Sequence, residues 1–447
     1  MTTQPKDSPM GRRGVVAVFV ALAAAGGVAG LRTLQSPPTL LAIAPSERAV
    51  AASSTTSRDG LSRSVASLTA RVAANAADDE AAVALSDVLM RQARVVGDAT
   101  LPRRAEAALT STIAATDSYL GRRMLGAVYL AQHRFLEALD AGRRAQRLRP
   151  DDPWNYGVIG DAAVELGRYD EAFAAFDRMT SLKPTAAAYA RIAYARELQG
   201  NLDGAVTAMR MAIEATSPQD PEGIAWTWSQ LAALHLQKGD VDQASRSYDR
   251  ALFAFPRHPY ARVGQARVAV VRGEFDAALA IYREQLAQAP TPELAAQVGD
   301  LLERRGDADG ARAAWTEAER LERDGWKNES PQPAALARLL AERDLQPHEA
   351  LRLAREAARG RDDIFTNDAL AWALYRTGDL DQAWEASARA RRTGTHDRRI
   401  LYHAAAIAAA RGDATTARAF ATRALDGHPH FDLIAAPAAR QLLTALK

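Results

Sequence analysis

Two carboxylates four residues apart are the first candidates for chemistry in this chain of 447 residues. Asp161 and Glu165 lie on one face of a predicted helix, where two acidic groups can act as general acid and base. Inward-facing carboxylates of a helical array more often bind a cationic group of a partner, and we expect that role here. Catalysis would need a reactive constellation that the sequence does not offer.

The sequence gives equally little support for a metal site or for nucleophilic catalysis. The eight histidines form no H-E-x-x-H pair, although His428 and His430 flank Pro429 and His396 lies seven residues before His403. The chain has no cysteine, which excludes disulfides, thiolate catalysis and cysteine-ligated metals. No phosphate-binding or dinucleotide-binding glycine motif follows a predicted strand. We therefore predict that the protein is not an enzyme and holds no metal or cofactor.

Charge and composition are those of a soluble helical protein. The formal net charge is +2, with 48% hydrophobic and 25% charged residues. Such a small net charge produces no large field that would recruit nucleic acid. We expect no nucleic-acid partner.

The elements that would position any functional residue are indicated by a recurring phrase of glycine, four residues and alanine. It reads G-R-Y-D-E-A at 167–172, G-D-V-D-Q-A at 239–244 and G-E-F-D-A-A at 273–278. The alanines in this register are Ala138, Ala172, Ala205, Ala244, Ala278, Ala311, Ala350, Ala383 and Ala417. Their spacings are 33, 34 or 39 residues. A period near 34 is typical of stacked helical hairpins.

One unit shows why this phrase predicts a hairpin. A first helix ends at Gly167, which can adopt a left-handed turn conformation without a Cβ penalty. Gly160 and Ala172 are small where two antiparallel helices must approach, while Phe176 fills the seam between them. Pro184 ends the second helix.

The same pattern recurs along the chain. The small residue of the first helix recurs as Gly126, Gly160, Ala193, Ala232, Ala266, Gly299, Ala371 and Ala405. The large residue of the second helix recurs as Phe176, Met209, Tyr248, Tyr282 and Trp315, and the terminating proline as Pro150, Pro184, Pro256, Pro290 and Pro429. Two units depart: one has Leu345 and Arg338 in place of small residues, and an early one has Pro102 inside its predicted turn.

With this combination of period, glycine turn, small contact residues and terminating proline, the chain resembles the tetratricopeptide repeat family from about residue 85 onward. The resemblance implies an all-α fold, an α-solenoid of about ten helical hairpins that form a right-handed superhelix. We assign residues 61–432 to the solenoid and 433–447 to a helix that covers its open end.

The resemblance also implies where a partner binds, since first helices of such arrays line a concave groove. The groove positions in this sequence are Trp154, Asp161, Glu165, Tyr194, Glu197, Trp226, Ser229, Tyr260, Arg267, Asp300, Glu303, Arg304, Glu342, Arg343, Asp368, Trp372, Tyr375, Arg376 and Tyr402. Aromatic residues among charges of both signs suit an extended peptide or a helix. Trp154 and Trp226 have an alternative role in packing against the neighbouring repeat.

The N-terminus predicts export. A basic segment, residues 1–13 with Lys6, Arg12 and Arg13, precedes an uncharged stretch at 14–31, and residues 32–60 resemble a flexible linker. The basic flank favours a cytoplasmic N-terminus. Eighteen residues suffice for a transmembrane anchor. Cleavage as a signal peptide at a site such as Gly27-Val28-Ala29 is the alternative.

Two insertions separate hairpins where the spacing is 39, at 217–223 and 324–333. Both are rich in turn-forming residues, so we expect joints that alter the superhelical pitch. The alternative for the second is an additional contact through Trp326.

Together these features predict a non-enzymatic scaffold or adaptor, displayed outside the cytoplasmic membrane of a bacterium, that binds a protein or peptide partner. An assembly factor or chaperone for an envelope or secreted complex is one alternative. An enzyme that uses the groove for a cell-envelope substrate is an alternative from another class.

Overall fold

Helices account for all regular secondary structure in the part of the chain that the computed structural model describes, residues 58–96, 98, 100–327, 332–427 and 430–446. The first eleven helices are α1 (Arg58–Ala74), α2 (Asp79–Val96), α3 (Leu101–Thr116), α4 (Tyr119–Ala131), α5 (Phe135–Leu148), α6 (Pro153–Glu165), α7 (Tyr169–Leu182), α8 (Ala186–Leu198), α9 (Leu202–Glu214), α10 (Pro221–Gln237) and α11 (Val241–Ala254). The other eleven are α12 (Pro259–Arg272), α13 (Phe275–Gln288), α14 (Pro292–Arg304), α15 (Ala308–Lys327), α16 (Pro333–Glu342), α17 (Pro347–Gly360), α18 (Ile364–Arg376), α19 (Leu380–Ala390), α20 (Arg398–Ala410), α21 (Ala414–Leu425) and α22 (Ala435–Ala445).

Consecutive helices from α2 to α21 pair into ten antiparallel hairpins, and each hairpin packs on the next. Helix α1 precedes the first hairpin, and α22 packs on α20 and α21 at the other end. The prediction of an all-helical solenoid of about ten hairpins is confirmed for the described residues. The predicted transmembrane or signal segment at 14–31 lies outside them.

Small residues allow the two helices of a hairpin to approach. A Cβ at Gly160 would overlap the Phe176 ring, and a Cβ at Gly299 would overlap the indole of Trp315. Ala172, opposite Gly160, is fully buried. Tyr248 differs, because its ring lies against Gly264 of the following hairpin. The predicted large residues thus fill seams both within and between hairpins.

The predicted turns and stops agree with the helix bounds. Gly167 has φ of +76° and Gly239 has φ of +84°, both in the left-handed region that favours glycine. Helix α5 ends two residues before Pro150, and α7 ends two residues before Pro184. Pro429 lies outside the described residues.

The two atypical units form ordinary hairpins by different means. Pro102 lies in the first turn of α3 rather than in the preceding turn, a position where proline costs no hydrogen bond. Between α16 and α17, Asp344 and Gln346 adopt the left-handed conformation that glycine takes elsewhere. Ala337 and Ala341, both fully buried, are the small residues of α16.

Part of each insertion lengthens a helix, whereas residues 217–220 form the turn that was expected there. Helix α10 starts at Pro221 and has 17 residues, because Asp220 caps it and proline is tolerated in the first turn. Helix α15 continues to Lys327 and has 20 residues. Ion pairs from Arg320 to Glu317 and Asp324, one turn apart, favour this extension. The side chain of Trp326 and residues 328–331 lie outside the described part of the chain.

Within these same ranges, the structure contains no helix with the length and apolar character needed to cross a membrane.

Candidate protein-binding surface

First helices of neighbouring hairpins lie closer together than second helices do. Helix α2 contacts α4, α4 contacts α6, α10 contacts α12, and both α16 and α20 contact α18. No two consecutive second helices in the described ranges make comparably extensive contacts. An array whose first helices are closer together curves toward them. The first helices therefore line the inner, concave side on which the predicted groove residues were placed.

Asp161, one of the two candidate catalytic carboxylates, is engaged by an arginine of the next first helix. Arg191 donates from Nε and Nη2 to the two Asp161 oxygens, at 2.9 and 2.6 Å. Arg191 is fully buried and Asp161 is 6% exposed. Burial raises the pKa of Asp161 above its ordinary value, and Arg191 opposes that rise. The pair links α6 to α8 with bidentate geometry.

Asp300 of α14 occupies a corresponding position farther along the array. It accepts hydrogen bonds from Trp315 Nε1 at 3.0 Å and from Arg343 Nε and Nη2 at 2.8 and 2.6 Å. Burial raises the pKa of Asp300, and Arg343 opposes the rise. Two predicted groove residues, Asp300 and Arg343, thus bind each other between α14 and the turn after α16.

A second arginine extends this network toward the C-terminal end. Arg399 lies 2.9 Å from a Glu342 oxygen and 3.1 Å from an Asp432 oxygen. Burial alone would raise the pKa of Glu342, but Arg399, Arg338 and Arg343 outweigh burial and lower it. The network therefore joins α16, α20 and the segment before α22.

Asp368 and Trp372 meet His403 of the next first helix. His403 Nδ1 lies 3.0 Å from both Asp368 oxygens. The Trp372 indole stacks on the His403 ring with centroids 3.9 Å apart and on Tyr375 at 4.7 Å. Since Trp372 is only 4% exposed, it packs between α18 and α20 rather than facing solvent.

Two predicted groove carboxylates are engaged at the ends of their helices. Glu165 accepts a hydrogen bond from Arg361 Nη2 at 2.7 Å, although 196 residues separate them. Glu197 accepts a hydrogen bond from Gln237 Nε2 at 2.8 Å. Asp161 and Glu165 are therefore bound to different arginines, and they form two separate ion pairs.

Both tryptophans with an open assignment lie in the interior. Trp154 is 6% exposed, carries the Arg123 guanidinium over its ring at 4.8 Å and donates from Nε1 to the Arg123 carbonyl at 3.3 Å. Trp226 is 7% exposed within an apolar cluster. Ser229 donates to the Ala225 carbonyl of its own helix at 2.7 Å. Their surroundings favour the packing role.

The remaining predicted groove residues retain accessible surface. Those that are half-buried or exposed are Tyr194, Tyr260, Arg267, Glu303, Arg304, Tyr375, Arg376 and Tyr402. Arg304 covers the Phe275 ring at 4.3 Å, and Arg376 pairs with Asp344 at 2.5 Å. Burial raises the pKa of Tyr402 to about 12. These eight side chains keep part of their surface accessible to solvent.

Sequence reasoning missed Arg191, Arg361, Arg399 and His403, which bind the predicted carboxylates. Arg191 and His403 lie two residues before the small residues Ala193 and Ala405 of their helices. The sequence signal for these pairs was an acidic residue on one first helix and a basic residue on the next first helix, two positions before its small residue. Arg361 had none, because its partner lies far away in sequence.

No group of three or more histidine, aspartate or glutamate side chains suited to a metal ion occurs in the described ranges.

A comparison with known protein families identifies the type of repeat. A family profile described as Tetratricopeptide repeat matches residues 90–153, 158–221 and 230–291. No curated protein matches the chain.

Three solved structures illustrate the similarity. A tetratricopeptide repeat protein from Parabacteroides merdae is 18% identical with a TM-score of 0.39, covering 58% of this chain and 99% of that one. Yeast Tom70 is 13% identical with a TM-score of 0.35, covering 82% and 96%. A thermophilic protein of the same repeat type from Thermus thermophilus is 24% identical with a TM-score of 0.36, covering 43% and 98%.

The three profile matches coincide with hairpins that have the predicted period and close helix contacts, and the glycine turns at Gly167, Gly200, Gly239 and Gly273 lie within the second and third matches. On these grounds the chain contains tetratricopeptide repeats, which the profile matches within residues 90–291.

Proposed function

We propose that this protein is a scaffold that binds a peptide or protein segment on its concave surface, near α18 and α20. Repeats of this family suggest a protein-interaction role. The proposal goes further by assigning the contact to a small accessible cluster. Its members are Tyr375, Arg376 and Tyr402.

The observation that carries the proposal is that this cluster is mounted on a rigid base. Tyr375 stacks on Trp372, and the Tyr402 ring lies 5.7 Å from the same indole. Trp372 is itself fixed by His403. Aromatic and arginine side chains that are held in place lose little entropy on binding, which makes them suitable binding anchors.

A photo-crosslinking experiment tests the position of the surface. A photoreactive phenylalanine analogue replaces Tyr375 in the native host, and the control places it at Glu385, an exposed position on α19. We expect a specific crosslinked protein from position 375, identified by mass spectrometry, and none from position 385. Crosslinks from position 385 alone would place the partner on the convex side and refute the proposal.

The identified partner then allows an affinity measurement. The double substitution Tyr375→Ala and Arg376→Ala should weaken binding by about 2 kcal/mol or more, the scale of an interface hot spot. Glu385→Ala and Arg355→Ala lie on second helices and should leave affinity unchanged. Trp372 is unsuitable for this test, because its replacement would also disturb packing between α18 and α20.

We further propose that the array is displayed outside the cytoplasmic membrane, held there by residues 14–31. The support is the basic residues Lys6, Arg12 and Arg13 before an uncharged stretch long enough to span a bilayer. A reporter fused after Lys447 should be active only outside the cytoplasm. Recovery of residues 1–31 with the membrane fraction indicates an anchor, and their loss indicates a cleaved signal. A reporter active in the cytoplasm contradicts export.

A further inference from the structure

Two pairs of hairpins that are six apart along the array touch each other, and the hairpin of α10 and α11 touches the segment before α22. The turn between α6 and α7 lies against the segment between α17 and α18, and two other turns make equivalent contacts. We call these three contacts the interturn seam, defined by the turns at His133, Gly167 and Gly239 and the segments at Gln332, Arg361–Ile364 and Gly427. Nothing in the repeat pattern of the sequence predicts it.

The central contact of the interturn seam, between the turn at Gly167 and residues 361–364, is closely packed. A Cβ at Gly167 would overlap the main-chain carbonyl of Asp362. Arg392 donates to the carbonyls of Gly167, at 2.9 Å, and of Asp362. The main-chain N–H of Ile364 donates to the Tyr169 hydroxyl at 2.9 Å, and Ile364 is fully buried. Residues almost 200 positions apart therefore share hydrogen bonds in a closed interface.

Arg361 adds charge pairing to this contact. It donates to the Glu165 carbonyl at 3.1 Å and carboxylate at 2.7 Å, and to the Asp363 carboxylate at 3.0 Å. Its guanidinium lies 4.8 Å from the centre of the Phe135 ring. Burial lowers the pKa of Arg361, but the two carboxylates outweigh burial and raise it. The guanidinium thus bridges α5, α6 and the segment before α18.

The other two contacts join corresponding parts of their hairpins. The Nε2 atoms of His133, between α4 and α5, and of Gln332, before α16, lie 2.7 Å apart. A Cβ at Gly239, between α10 and α11, would overlap the carbonyl oxygen of Gly427, before α22. In each contact, the turn within one hairpin meets the segment that precedes the sixth unit farther along the array. That unit is a hairpin in two of the contacts and α22 in the third. A constant offset is what a regular coil produces when its second turn rests on its first.

We infer that the interturn seam is a latch that closes the array into a coil of six hairpins per turn. Each hairpin folds through its own and its neighbours' contacts. Breaking the latch therefore lengthens the molecule without unfolding its helices. This inference concerns the conformation of the array and holds whether or not the proposed partner site is correct.

Glycines supply matched variants for the test. Gly167 and Gly239 lie in the seam, whereas Gly273 and Gly412 have φ of +79° and +83° and nothing within 4 Å of an added Cβ. Alanine at any of the four positions strains the backbone similarly. Only Gly167→Ala and Gly239→Ala also push against the opposite side of the seam. A second pair compares two arginines. Arg361→Gln, directly after α17, changes a residue of the seam, and Arg352→Gln, on α17, is the exposed control.

The absence of cysteine allows clean labelling of the full-length chain. Nitroxides at Asp170→Cys and Arg359→Cys, two exposed positions, straddle the seam. In the seam variants we expect the distance between the labels to lengthen or broaden and the radius of gyration from small-angle scattering to rise, with an unchanged helical circular dichroism signal. The Gly273, Gly412 and Arg352 variants should keep the parental distance and radius.

Two results would overturn the latch. Distances and radii in the seam variants equal to those of their matched controls would show that the seam does not hold the coil closed. A loss of helical signal confined to the seam variants would show that the hairpins depend on the seam for folding.

Discussion

Glu322 is a buried carboxylate whose raised pKa makes the stability of this protein depend on pH near neutrality. It is buried on α15, and burial raises its pKa to about 8, with a further rise from Glu293 and an opposing effect of Arg338. Between pH 4.5 and 8 the folded state therefore binds more protons here than the unfolded state. Stability from this group is fully present below pH 4.5 and is lost as the pH rises through 8.

The first prediction follows from that sign. As the pH rises from 5 to 8.5, Glu322 should lower the urea concentration at which half of the parent protein is unfolded. The Glu322→Gln variant should lack this decrease. Glu317→Gln is the control on the same helix, since Arg320 lowers the pKa of the half-exposed Glu317 below its ordinary value. If both variants show the same pH profile, Glu322 does not carry the effect.

A second prediction at this scale concerns the close contact at Gly264. Gly264→Ala should lower the free energy of unfolding by about 1–3 kcal/mol, because Tyr248 is 1% exposed and its ring has no room to move. Gly360→Ala is the counterpart, at a helical position on α17 with nothing within 4 Å of an added Cβ. It should raise the free energy of unfolding by about 0.4–1 kcal/mol. Chemical denaturation measures both, and equal effects would contradict the packing described.

Neighbouring first helices are joined by buried ion pairs, and this arrangement decides how the inner surface behaves. Asp161 with Arg191 and Asp300 with Arg343 each join one hairpin to the next. A buried pair contributes little compared with apolar residues of similar volume, but loss of one partner leaves a costly buried charge. These pairs fix how adjacent hairpins are aligned.

The third prediction tests that role. Arg191→Met should lower the free energy of unfolding by about 3–5 kcal/mol, and adding Asp161→Leu should restore most of the loss. Substituting Arg352→Met, which is exposed on α17 beside Glu349, should leave the denaturation midpoint unchanged. A double variant as unstable as the single one would mean that the arginine acts through packing rather than charge.

The hairpins could be predicted from sequence because each is local. Gly167, Ala172 and Pro184 act within one unit, and the unit repeats often enough for its period to stand out. The pairing of Asp161 with Arg191 and of Asp300 with Arg343 was not predicted, because the repeat pattern was used to assign positions within one hairpin and not to pair side chains of successive hairpins. The lengths of α10 and α15 were missed because glycine and proline were interpreted as turns, whereas capping by Asp220 and ion pairs of Arg320 extend the helices.

At the scale of the whole molecule, the seam limits how the concave surface can adapt. An array whose hairpins contact only their neighbours changes curvature by small adjustments between units. Here Tyr169 and Ile364 are bonded across the seam although 195 residues separate them. The inner surface that carries Tyr375 and Tyr402 is therefore held at one curvature before any partner binds, which reduces the ordering cost of binding.

The same seam determines how this protein responds to mechanical force. A solenoid pulled by its ends extends as a soft spring, since each unit yields a little. The hydrogen bonds of Gly167, Tyr169 and Arg361 join successive turns of the coil, so an axial load falls on all of them together. In an optical-tweezers measurement we expect a stiff initial response, then one abrupt lengthening when these bonds fail together, and hairpin unfolding only at higher force. The variant with Gly167→Ala and Gly239→Ala should extend smoothly from the start, so the native protein resists stretching up to a threshold and yields beyond it.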